Sequence, residues 1–222
     1  MEKMPPIFVI SLKGSPRRGV ISQRLNGLKL NFSFIDGING KTLSEEEKTA
    51  VDYEFYPTKF AAVRPLTIGE IGCAMSHLLI YKMMLEKNID KAIILEDDAI
   101  VSQEFESIVK DSLKKAPLKT EILFYEHGKA KSHFFKRSLV EGYRIVHYRS
   151  PSKNSKRTIT RATAYLITKE GASKLLQHAY PIRMPADYLT GALQLTGINA
   201  YGVEPPCVFR GVDSEIDAME HR

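Results

Sequence analysis

Cysteine is nearly absent from this 222-residue chain: there are two, Cys73 and Cys207, far apart and outside any CxxC pattern. That excludes a disulfide framework and points to a reducing setting. Long apolar runs are also missing, and none approaches the roughly 20 residues that a membrane-spanning helix needs. The opening MEKMPPIFVISL is too short and too strand-like for a secretory signal, and Pro5-Pro6 interrupts it. No repeat, low-complexity tract or linker breaks the chain, so one domain over residues 1–222 is expected.

Acidic residues are scarce in only one place. Between Lys129 and Arg161 stand ten lysines and arginines against a single acid, Glu141. The rest of the chain holds the remaining 22 basic and 25 acidic residues of totals of 32 and 26, so the net charge of +6 is local. A basic segment on a slightly acidic body suits a phosphorylated partner or an anionic membrane surface. Nucleic acid is not expected, because no nucleic-acid-binding motif accompanies the charge.

What is present is an alternation of strand and helix patterns. PIFVISL, FSFIDG, KAIILEDD, EILFYE, YRIVHYRS, TITRATAYLIT and NAYGVEPP read as strands. RRGVISQRLNGL, SEEEKTAVDYEF, TIGEIGCAMSHLLIYKMMLEKN, KEGASKLLQHA and ADYLTGALQLTG read as helices, and Ser102 is expected to cap another through EFESIVKDSLKKA. Ser44 with Glu47, and Thr67 with Glu70, make two capping boxes. Ile71, Ala74, Leu78, Tyr81 and Leu85 recur at helical spacing and predict a core-facing stripe. The alternation predicts an α/β fold with a mostly parallel sheet covered on both faces, whose ligands sit beyond the carboxyl ends of the strands.

At one such end three acids follow a buried run without a break, in KAIILEDDAI. Like charges this close resist joint ionisation. A helix dipole downstream accounts for one acid but poorly for three. A hard divalent cation, Mg²⁺ or Mn²⁺, accounts for them better. Alternation along an extended chain sends Glu96 and Asp98 to one side and Asp97 to the other. Asp98 is therefore the expected metal ligand, with Glu96 beside it or on a ribose.

In the preceding helix, Gly69, Gly72 and Ser76 share one face, where small side chains admit another backbone or a ligand. Ser76 and His77 are candidate ligand contacts there. Cys73 and His77, four residues apart, have the spacing of zinc ligands. Only Cys207 remains to join them, and neither CxxC nor HExxH is present, so the sequence sets zinc aside.

Five blocks in order, IFVISLKGSPRR, LTIGEIGCAMSH, AIILEDDAIV, ATAYLITKEGASKLL and PADYLTG, resemble the family 25 glycosyltransferases of bacterial lipopolysaccharide and lipooligosaccharide biosynthesis. The resemblance covers about residues 7–191. It implies a GT-A-like fold and inverting transfer of a hexose, commonly galactose or glucose, from a UDP-sugar donor to a lipid-linked oligosaccharide. The donor side then falls in about residues 1–120 and the acceptor side in 121–222. It also implies that Glu96, Asp97 and Asp98 stand in for a DxD motif holding a metal-bound diphosphate. Arg17 or Arg18 would bind donor phosphate, Ser11 would abut the nucleoside, and Asp187 is the candidate base. A cytoplasmic enzyme touching the anionic inner-membrane surface is expected. Family members often run past the point where this sequence stops, at DAMEHR, which leaves a membrane-associating tail an open expectation. Two other classes compete: a catalytically idle nucleotide-sugar-binding module and a metal-dependent phosphohydrolase.

Overall fold

A computed structural model describes residues 3–211. The elements in chain order are β1 (Ile7–Leu12), α1 (Arg17–Gly27), β2 (Phe32–Gly37), α2 (Glu45–Thr49), α3 (Phe55–Phe60), α4 (Ile68–Glu86), β3 (Lys91–Glu96), β4 (Ala99–Val101), α5 (Phe105–Lys115) and β5 (Ile122–Phe124). They continue as β6 (Ser132–Ser138), β7 (Arg144–Tyr148), β8 (Ala164–Thr168), α6 (Lys169–Ala179), α7 (Ala186–Gly191), α8 (Leu193–Thr196), β9 (Ala200–Glu204) and β10 (Val208–Arg210). The segment DAMEHR lies outside the described residues.

Eight strands form one sheet in the order β2-β1-β3-β8-β5-β9-β7-β6, and β10 pairs with β4 in a separate ribbon. β1 is parallel to β2 and β3, β8 is antiparallel to β3 and β5, β5 is parallel to β9, and β7 is antiparallel to β9 and β6. Six of the eight strands thus point one way, and only β8 and β7 oppose them. The expected mostly parallel α/β sheet is the sheet observed.

Strand pleating sorts the core into two layers. From β1, Phe8 and Ile10 join Ile94 and a layer built with Ile71, Leu78 and Tyr81 of α4 and Leu175 of α6. Ile7 and Val9 face the other way, onto Ile21 and Leu25 of α1 and Phe105 and Ile108 of α5. Each large apolar side chain buried this way contributes about 1.5–3 kcal/mol. Helices therefore cover both faces, as the alternation predicted.

Departures from the sequence pattern trace to contacts with distant segments. Both capping boxes form. The helix expected through SEEEKTAVDYEF stops at Thr49, because Val51 bridges to Ile182 and the Asp52 N–H donates to the Ile182 carbonyl at 2.8 Å. Asp52 Oδ1 then accepts from the N–H groups of Glu54 and Phe55 and starts α3 instead. Ser102 does not cap α5. Glu104 is its N-cap residue, and Ser102 lends its backbone to Cys207 and Phe105. On α4, Ile71, Ala74, Leu78 and Tyr81 are buried, but Leu85, in the last turn, is 38% exposed.

Candidate functional site

The small face of α4 meets a backbone. A Cβ on Gly72 would stand 2.5 Å from the Ile38 carbonyl oxygen, and one on Gly40 would stand 1.9 Å from that of Ile68. The loop after β2 is pressed onto α4 where only glycine fits. Ser76 closes the contact: its hydroxyl donates to the Gly72 carbonyl at 2.6 Å and accepts from the Ile38 N–H at 2.8 Å. Ser76 thus spends its hydrogen bonds on holding this loop, whose residues Asn39, Gly40 and Lys41 border a cavity.

That cavity, of about 700 Å³, lies beyond the carboxyl ends of β1, β2 and β3, bordered by Ser11, Gly37 and Glu96. Its volume suits a small-molecule ligand. Ser11, Arg17, Ser76, Glu96, Asp97, Asp98 and Asp187 all border it. Arg18 does not: it donates to the Ser11 and Leu12 carbonyls, pairs with Asp36 and lies over the Phe34 ring, as a brace for the β1–β2 edge. His77, 1% exposed, lies behind the wall.

The three acids are arranged differently from the strand expectation. β3 ends at Glu96, and Asp97 and Asp98 form a turn into β4. Strand alternation lapses there, so all three carboxylates border one cavity. Asp97 accepts from the Ser11 hydroxyl at 2.6 Å and pairs with Arg17 at 3.5 Å. Asp98 Oδ2 accepts from Arg210 Nε at 3.2 Å, while its Oδ1 is buried without a hydrogen-bond partner among the described residues. Burial, and then the neighbouring charge of Glu96, push the Asp98 carboxyl up to about 7 against the pull of Arg210 and Arg17. Burial also acts to raise Glu96, but hydrogen bonding and charge from His77, with Arg210, outweigh it and hold the group below the usual glutamate range.

Behind Glu96 runs a buried relay. His77 Nε2 lies 3.4 Å from Glu96 Oε1, and His77 Nδ1 lies 2.7 Å from the Tyr165 hydroxyl, itself 2.5 Å from that of Tyr81. The Cys73 thiol donates to Glu96 Oε1 at 3.6 Å. Burial, then the Glu96 charge, push that thiol up.

Asp187 reaches the cavity from α7. It is the second residue of that helix, whose N-cap residue is Pro185, so it serves the helix as a first-turn acid and not as the N-cap residue. Its Oδ2 accepts from the Arg161 N–H at 3.1 Å. Burial first, with the charges of Glu96 and Glu70, pushes its carboxyl up to about 6 against the N–H groups of Arg161 and Tyr188.

Arg161 and Arg210 border the cavity without having been singled out from the sequence. Arg210 arrives through the β4–β10 ribbon, which joins two three-residue strands far apart in the chain. No periodicity in so short a run marks it. Arg161 closes the basic segment and pairs with the fully buried Glu126 at 3.0 Å. The exposed loop before it, carrying Lys153, Lys156 and Arg157, is tied to α8 by Gln194, which donates to the Ser155 and Arg157 carbonyls.

A divalent cation fits the residues present. Asp98 offers an unpartnered buried oxygen, and Glu96 and Asp98 oppose each other's ionisation, a conflict that a hard oxygen-seeking ion relieves.

Among known proteins, this chain is 29% identical over 124 residues to human procollagen galactosyltransferase 2, a match covering 53% of this chain and 20% of that protein. It is 35% identical over 95 residues to procollagen galactosyltransferase 1-B of Xenopus laevis, covering 41% and 16%. It is 28% identical over 102 residues to the probable inactive glycosyltransferase 25 family member 3 of Rattus norvegicus, covering 45% and 18%. The matches thus span a fifth or less of each relative. The family model described as "Glycosyltransferase family 25 (LPS biosynthesis protein)" matches residues 4–190, from ahead of β1 into α7. With most of its length matched and the five sequence blocks meeting around one cavity, the chain belongs to glycosyltransferase family 25.

Proposed function

We propose that this glycosyltransferase transfers a hexose, galactose before glucose, from a UDP-sugar to the core oligosaccharide of a lipooligosaccharide or lipopolysaccharide, inverting the anomeric centre. One observation carries the reading: acids at the end of β3, arginines from α1 and β10, and Asp187 from α7 border one cavity of nucleotide-sugar size. The relatives named as galactosyltransferases support the sugar. The family's description as lipopolysaccharide biosynthesis proteins supports the acceptor, as does the basic loop leading to Arg161.

In this mechanism Ser11 abuts the nucleoside, and Arg17 and Arg210 donate charge-assisted hydrogen bonds to the donor diphosphate. Mn²⁺ or Mg²⁺, held by Asp98 and Glu96, supplies Lewis-acid stabilisation to the leaving diphosphate when bound. Asp97 keeps Arg17 and the end of β1 in register through its two contacts. Asp187 takes the proton of the acceptor hydroxyl as that oxygen attacks the anomeric carbon, opposite the breaking bond to the diphosphate. The Arg161 N–H fixes the Asp187 carboxylate, and a pKa of about 6 leaves it ionised yet basic near neutral pH.

Among the described residues no helix is long and apolar enough to cross a membrane. The proposed setting is the cytoplasm, with the basic segment resting on the anionic inner-membrane surface beside its acceptor. The test is a donor screen against a defined lipooligosaccharide, read as UDP release and acceptor mass. A hexose added from UDP-galactose or UDP-glucose supports the proposal. UDP-sugar binding without UDP release marks an idle module, a form that the relative named as probably inactive makes worth testing. Phosphate release without any sugar acceptor marks a phosphohydrolase.

A further inference from the structure

The spacing of Cys73 and His77 lacked a third ligand in the sequence, and the fold supplies it. Glu96 comes from the end of β3 to the flank of α4, so that Cys73 Sγ, His77 Nε2 and a Glu96 oxygen all lie within 4.8 Å of one another. We propose that these three side chains form a binding site for a thiophilic divalent cation, zinc above all, whose occupancy ties Glu96 to α4 and shuts off sugar transfer.

The distances carry the argument. Tetrahedral zinc with bonds of about 2.3 Å to sulfur and about 2.0–2.2 Å to nitrogen and oxygen sets its nitrogen and oxygen ligands about 3.4 Å apart, and its sulfur and oxygen about 3.6 Å apart. The protein holds His77 Nε2 3.4 Å and Cys73 Sγ 3.6 Å from the same Glu96 oxygen. The imidazole is also oriented as a ligand. Its Nδ1 is held by Tyr165, which Tyr81 holds in turn, leaving Nε2 turned to Glu96. Such an outer partner commonly fixes a metal-binding histidine. Cys73 and Glu96 border the cavity, so an ion enters from there and a fourth position opens toward it.

Ligand chemistry separates this site from the one proposed for the donor's ion. Thiol and imidazole favour zinc and its soft relatives, whereas Mg²⁺ and Mn²⁺ favour the all-oxygen surroundings of Asp98. Glu96 belongs to both, which is why one ion antagonises the other. The binding half of the proposal is independent of the proposed function, and only the inhibitory half rests on it.

The experiment uses the full chain, stripped with chelator and titrated with Co²⁺ in the absence of donor. Expected are visible tetrahedral cobalt bands and a near-ultraviolet thiolate-to-cobalt band, saturating at one equivalent and erased by one equivalent of Zn²⁺. Cys73→Ser should lose the near-ultraviolet band while Cys207→Ser keeps it, with thermal melts confirming that both fold. His77→Gln should weaken cobalt binding at least tenfold. An octahedral spectrum without the charge-transfer band, or a band that survives in Cys73→Ser, overturns the site. In a transfer assay at saturating Mn²⁺, one equivalent of Zn²⁺ should slow wild type at least tenfold and Cys73→Ser less than twofold. Equal inhibition of the two proteins, or none, overturns the regulatory half. A cobalt signature in a protein that transfers no sugar leaves the site standing and removes the proposed function instead.

Discussion

The two walls of the cavity differ in how their charges are held. On the β3 wall every acid has a fixed protein partner: Asp97 has Ser11 and Arg17, Asp98 has Arg210, and Glu96 has His77. On the α7 wall Asp187 is held by backbone N–H groups, those of Arg161 and Tyr188, and by no side chain among the described residues, and the basic loop beside it is exposed. The first wall suits a ligand of constant shape, such as a nucleoside diphosphate. The second suits a partner whose shape varies, as oligosaccharides do. Under the proposed roles, the first wall supplies electrostatic preorganisation for the donor, which needs fixed groups, and the second meets the acceptor with an exposed loop.

The sharpest way to break that contrast is Asp187→Asn. Loss of the base should lower kcat about 10²–10⁴-fold with the donor KM little changed. A change confined to acceptor affinity makes Asp187 a positioning group. Next is Asp98→Asn, expected to cost about 10²–10³ in transfer even in saturating Mn²⁺, from loss of charge stabilisation at the leaving diphosphate. Wild-type rates there would show that the β3 wall holds no ion.

Acidity probes the α7 wall. With Asp187 as base, kcat/KM should rise as pH increases through about 6 and then level off. The stability effect has the opposite sign. An aspartyl pKa raised from 3.8 to about 6 means that the folded state holds this proton more tightly. That stabilisation is complete below about 4 and is lost as pH rises through about 6. Asn, which carries no charge, should therefore make the protein more stable than wild type at pH 8, with the difference vanishing near pH 4, measured by melting in chelator.

Changing Lys153, Lys156 and Arg157 to Gln should raise the KM for a phosphorylated acceptor about tenfold and leave acceptor-free donor hydrolysis unchanged. The last effect belongs to the scaffold and is read in stability, not in transfer. Gly72→Ala puts a methyl 2.5 Å from the Ile38 carbonyl oxygen and should cost about 1–3 kcal/mol in denaturant unfolding.

The parts legible in the sequence were those written in one continuous stretch. β1, α4 and β3 declare themselves by an apolar run or a helical stripe, and Thr67 with Glu70 mark the start of α4. The acid cluster was visible because its members are adjacent. What stayed hidden depends on how segments pack: Val51 leaves the expected helix for Ile182, Arg210 finds Asp98 across 112 residues, and the end of β3 brings Glu96 beside Cys73 and His77. Local pattern also misjudged Asp97, because the strand stops one residue before it. Arg18 has the same local chemistry as Arg17, and only the packing of α1 sends one to the cavity and the other to Phe34.

The β4–β10 ribbon sets an order of events during synthesis. Every acid that borders the cavity has left the ribosome before Arg210 appears, and Asp98 has no guanidinium against its Oδ2 until then. A chain that ended just short of that point would carry every acid of the cavity without the guanidinium that faces Asp98.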